Sequence, residues 1–97
     1  MGSHQNSYSL DWIIKLVKQQ APERKDIIDA LQRCENGQWD SKAYLRFVDS
    51  TNANLPGAVW QIEESVVFVH EIDGDIVIDL LKGGIIGGIE FVSSKEK

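Results

Sequence analysis

Cysteine, proline and histidine are scarce in this chain of 97 residues, and so, in its second half, is positive charge. Cys34 is the single cysteine, so no internal disulfide can form and a cytoplasmic location fits best. No apolar run approaches the roughly 20 residues needed to cross a bilayer, and the start lacks the charged and apolar regions of a secretory signal. Met1-Gly2-Ser3-His4 reads as a tag remnant, and residues 1–8 are set aside as a tag or disordered start. His70 is then the one histidine left for chemistry.

These shortages thin out the enzyme classes. With one serviceable histidine, one cysteine and no nucleophile spaced to a base, covalent and general acid–base catalysis have little material, and no catalytic residue is assigned. Asp73-Gly74-Asp75 lacks the ligand series and closing glutamate of a calcium loop, so no metal is expected. The glycines of Gly83-Gly84-Ile85-Ile86-Gly87-Gly88 lead into a strand pattern and not into a helix N-terminus, which argues against a phosphate loop; no cofactor is expected.

The missing cations leave a field of one sign. Between Asp49 and Val92 the acids Asp49, Glu63, Glu64, Glu71, Asp73, Asp75, Asp79 and Glu90 face a single lysine, Lys82, and the whole chain carries a net charge of −5. Such a surface repels nucleic acid and anionic membrane and attracts cations, so a basic protein surface is the expected partner.

What is present describes one α+β domain, with a helical part over residues 9–37 and an antiparallel sheet over 41–92. A chain this long buries somewhat more than roughly 60% of its unfolded surface, enough for a core without staples. Leu10, Ile13, Ile14 and Val17 fall on one helical face, with Lys15 and Lys18 on the other, predicting a helix over Leu10 to Gln20 preceded by Ser9 as cap. Pro22 is expected in the first turn of a second helix whose stripe is Ile27, Ile28, Leu31 and Cys34, with Asn36-Gly37 as the stop. Alternation then sets Ala43, Leu45 and Phe47 against Tyr44, Arg46 and Val48 on a first strand. After a loop over Asp49 to Gly57, strands are expected at Ala58 to Glu63, Ser65 to Ile72, Asp75 to Leu81 and Ile85 to Val92, about five in all, the last three in a meander under the two helices.

Asp73-Gly74 and Gly83-Gly84 read as two-residue hairpin turns. Those turns set Glu71 opposite Ile76, Val69 opposite Ile78 and Val67 opposite Leu80, then Ile76 opposite Phe91, Ile78 opposite Ile89 and Leu80 opposite Gly87. The helix-covered face becomes Val67, Val69, Ile76, Ile78, Leu80, Ile89 and Phe91. The opposite face becomes Val66, Phe68, His70, Val77, Asp79, Leu81, Ile86 and Glu90, a mixed patch of the kind that binds partners. Gly87 and Gly88 suggest a bulge or the close approach of another backbone or a bulky side chain. Trp60 suits either core or interface.

The segments Lys42-Ala43-Tyr44, Leu55-Pro56-Gly57-Ala58-Val59-Trp60-Gln61-Ile62-Glu63, Gly74-Asp75-Ile76-Val77-Ile78-Asp79 and Gly87-Gly88-Ile89-Glu90-Phe91 together resemble small bacterial immunity proteins encoded beside polymorphic or contact-dependent growth inhibition toxins. The resemblance spans about residues 41–92 and contains no catalytic signature. It implies a cytoplasmic inhibitor that binds the C-terminal domain of a cognate toxin, often a nuclease, whose basic surface an acidic sheet suits. On this reading Glu71, Asp73, Asp75, Asp79 and Glu90 steer and pair with the partner's cations, while Phe68 and Trp60 anchor it. Two alternatives stand beside it: a homo-oligomeric structural or regulatory module pairing through Phe68, Leu81 and Ile86, and a small hydrolase using Asp79 and Glu90.

Overall fold

The structure, a computed structural model, describes residues 9–71 and 74–92. Two helices, α1 (Asp11–Gln20) and α2 (Lys25–Gln32), precede five strands, β1 (Gln38–Trp39), β2 (Tyr44–Arg46), β3 (Ile62–Phe68), β4 (Ile76–Leu81) and β5 (Ile85–Phe91). The strands form one antiparallel sheet in the order β1-β2-β5-β4-β3. The expected α+β architecture holds.

Ser9 helps start α1: its Oγ accepts the Asp11 N–H at 3.3 Å. Asp11 in the first turn and Lys18 in the last complement the helix dipole. Pro22 is not part of the second helix. It stands second in a turn that the Arg24 N–H closes onto the Ala21 carbonyl at 2.9 Å, a position for which its fixed φ is well suited. α2 ends at Gln32, so Cys34 lies past the helix, half-buried, and the left-handed residue that follows is Asn36 (φ 62°) and not Gly37.

The helices pack Ile13, Leu16, Val17, Ile27, Ile28, Ala30 and Leu31 onto Phe68, Ile76, Ile78, Leu80, Ile86 and Ile89 of the sheet. Burying a side chain of this size contributes about 1.5–3 kcal/mol each, an upper estimate for the set. The predicted inner positions Ile76, Ile78, Leu80 and Ile89 are therefore in the core, with Phe91 partly buried against it.

Three expectations about the sheet change. In place of the two strands expected at Ala58 to Glu63 and Ser65 to Ile72 there is one, β3 (Ile62–Phe68), irregular at Glu63, and the fifth strand is instead the short β1. The β3–β4 connection is longer than the two-residue turn: Phe68, not Glu71, stands opposite Ile76, and Val66 stands opposite Ile78. A shift of three residues is odd, and an odd shift turns a strand over. Val67 and Val69 are consequently exposed, at 58% and 57%, while Phe68 is buried at 3%. His70 leaves the outer face too, its ring edge-on to Trp12 of α1 with centroids 5.3 Å apart. Ile72 and Asp73 lie outside the described residues, so the Asp73-Gly74 turn is judged only by Gly74, whose N–H donates to the His70 carbonyl at 2.9 Å.

The second hairpin keeps the expected pairs Ile76 with Phe91 and Ile78 with Ile89. Gly83 and Gly84 both take positive φ, 88° and 75°, but the turn is one residue longer than the two-residue reading: Leu81 stands opposite Ile85 with Lys82, Gly83 and Gly84 between them, and the Gly84 N–H donates to the Leu81 carbonyl at 3.2 Å. A bulge then intervenes. Asp79 pairs with Gly88 and Leu80 with Ile86, which leaves Gly87 unopposed and turns Ile86 into the core, at 2% exposure.

Candidate functional site

The sheet face turned away from the helices falls into a covered half and an open half. In the covered half, Trp60 comes down from the loop after β2 and is 6% exposed. Backbone and side-chain bonds staple that loop: the Asn54 N–H donates to the Trp60 carbonyl at 2.7 Å, the Ile62 N–H donates to Asn54 Oδ1 at 2.9 Å, and Gln61 Nε2 donates to the carbonyls of Leu55 and Ala58. The indole lies over Gly87 and beside Leu81: a Cβ at Gly87 would come within 2.9 Å of both. Tyr44 sits next to it, with ring centroids 6.5 Å apart.

Tyr44 crosses Gly88, where a Cβ would meet the phenol ring and hydroxyl at 2.4–2.6 Å, so the strand glycine clears a path for a side chain from β2. The ring's hydroxyl donates to Asp79 Oδ2 at 2.7 Å, and the Ser65 hydroxyl donates to Oδ1 at 2.8 Å. Burial, then the bond to Asp79, pushes the Tyr44 hydroxyl far above the ordinary phenol range, which keeps it a proton donor. Asp79 is thus an acceptor for two hydroxyls across three strands, a polar clasp holding β2, β4 and β3 together. Neither Tyr44 nor Ser65 stood out in the sequence as a site residue. The only signal was the pair of glycines inside a strand, which asked for a bulky neighbour.

The open half continues past this clasp. Asp75, Val77 and Glu90 share its face with Val67 and Val69, whereas Glu71 lines a groove with Leu16, Gln19 and Gln20 of α1; Tyr44 is the cross-strand partner of Glu90 and Val77 of Val67. Among the described residues, Glu63, Glu71 and Asp75 enter no ion pair. Arg46 is the arginine on this face, and Asp40 binds it at 2.9 Å. Glu64 belongs elsewhere, tied with Asp26 to Arg24 at the other side of the β3 edge.

Of the expected site residues, Asp75 and Glu90 line the open face, Glu71 lies beside α1, and Asp79 is present but engaged. Asp73 lies outside the described residues. Phe68 is overturned as an anchor because the register shift puts it under the helices, and Trp60 because its ring is spent on Gly87 and Leu81. The homo-oligomer face of Phe68, Leu81 and Ile86 does not exist as a surface, since all three are buried. Elsewhere, burial pushes the Cys34 thiol up to about 11, which leaves it protonated and unreactive at neutral pH. Among the described residues no three His, Cys, Asp or Glu side chains gather as a metal site, and no helix is long and apolar enough to cross a membrane.

Compared with protein-family models, curated proteins and solved structures, the chain matches none. What the fold and the site define is an α+β protein with an acidic, partly apolar sheet face.

Proposed function

We propose that this chain is a binding protein for a basic protein partner, and specifically an immunity protein that neutralises a bacterial toxin domain, such as a nuclease, whose own surface is built for phosphate. The observation that supports it is the open half of the outer face, where Asp75 and Glu90 stand beside exposed Val67 and half-buried Val77. Carboxylates steer a cationic surface into contact, and the valines offer it apolar area once water is expelled. The anchors are Val67 and Val69 in place of Phe68 and Trp60.

The hydrolase reading gains no support from the geometry. Both Asp79 oxygens hold hydroxyl protons, and His70 lies against α1, away from that carboxylate. The test is co-expression with the C-terminal domain of a toxin encoded beside this gene. Rescue of growth, lost in an Asp75→Lys/Glu90→Lys double variant that still folds, is the expected result. Rescue that survives the double variant, or no rescue and no complex, defeats the reading.

A further inference from the structure

β3 closes one side of the sheet, and among the described residues no strand lies beside its outer edge. Both ends of that edge are already taken by side chains: Asn54 Oδ1 accepts the Ile62 N–H at 2.9 Å, and Gln20 Nε2 donates to the Val69 carbonyl at 2.6 Å. His70 directs its carbonyl into the hairpin, toward Gly74. Since backbone groups alternate along a strand, those of Val69, Val67 and Ser65 are directed outward. Between the two plugs lies a window of backbone about one short strand long. Above it on the outer face stand Ile62, Val67 and Val69, exposed at 40%, 58% and 57%.

An open edge flanked by apolar groups recruits other strands, and charge is the usual guard against the wrong one. Here Glu63 stands exposed at the irregularity in β3, in no ion pair among the described residues, whereas Glu64 next to it is held by Arg24. A second copy of this chain would bring its own Glu63 into the same ribbon, with a further net charge of −5. A strand carrying lysine or arginine meets the opposite situation.

We infer that the outer edge of β3 binds the partner, taking an extended segment of alternating basic and apolar residues as an added strand. The inference rests on the basic-partner reading and supplies its mode of recognition: main-chain bonds at Ser65 and Val67 for affinity, carboxylates for selection.

The probe is an acetylated, amidated Lys-Val-Lys-Val-Lys-Val peptide added to the full chain, with amide hydrogen exchange read residue by residue. Binding should slow exchange at Ser65 and Val67 by about tenfold or more while amides of β1 and β2 stay unchanged. Val67→Lys, at an exposed position that leaves the core alone, should weaken the peptide roughly fivefold by placing like charges across the new strand pair. Binding without added protection at Ser65 and Val67 overturns the edge inference and leaves the acidic-face reading standing. Absence of binding even at low salt overturns both. Concentration-dependent protection of the same amides in peptide-free protein also overturns the inference, by making a second copy the occupant.

Discussion

At the scale of single residues, Gly88 shows how an absent side chain organises a site. Its missing Cβ is the space through which the Tyr44 ring passes to reach Asp79. Gly88→Ala should therefore cost about 1–3 kcal/mol, because the ring has to move and its hydroxyl then loses the carboxylate. Urea unfolding would show a lower midpoint with an unchanged slope. Asp79→Ala leaves the half-buried phenol without its acceptor and should lower the midpoint by a similar amount, about 1–3 kcal/mol. An unchanged midpoint in both would mean that the clasp contributes nothing.

At the scale of elements, Arg24 ties the start of α2 to the edge of β3: its guanidinium reaches Asp26 at 3.1 Å and Glu64 at 2.8 Å. The hydrogen bonds from Arg24 hold both carboxyls below their ordinary range. A carboxyl whose pKa is depressed in the folded chain binds fewer protons there than in the unfolded chain. Its stabilisation is in place above the ordinary carboxyl pKa near about 4 and disappears as pH falls through the depressed value. Arg24→Met should thus lower the melting temperature slightly at about pH 7 and not at about pH 2, where both carboxyls are protonated in either protein. An equal deficit at both pH values would assign the loss to packing of the arginine stem. The loop over β5 is another element with a definite role: Trp60→Ala removes a buried indole and should cost about 3–5 kcal/mol, far more than the loss of a surface anchor would.

At the scale of the whole molecule, the net charge of −5 acts by its placement. Asp75 and Glu90 lie on the open half of the outer face, Glu71 beside α1, Glu63 at the β3 edge, Glu64 on Arg24 and Asp79 inside the clasp. Glu71→Gln combined with Asp75→Asn should slow association with a basic partner and flatten its salt dependence while leaving the dissociation rate nearly unchanged, as stopped-flow measurements at two ionic strengths would show. A change confined to dissociation would mean that these acids form close contacts and do not steer.

Legible in the chain alone were the α+β class, the first helix, the positive φ of Gly83 and Gly84 and the core positions Ile76, Ile78, Leu80 and Ile89. Helical periodicity, glycine's freedom at positive φ and strand alternation are local properties, and each can be read within a few residues. Tertiary structure decided which way β3 faces. Strand alternation predicts that Val67 and Phe68 lie on opposite faces, but only the length of the hairpin says which of them goes inside, and Asp73-Gly74 looked like a tighter turn than the chain makes. The bulge at Gly87 likewise turned Ile86 inward, and the stapled loop carried Trp60 onto the sheet. With Phe68 sealed under the helices to complete the core, Val67 was left outside among the carboxylates, so a non-local register, invisible to any short window of sequence, chose the residues of the binding face.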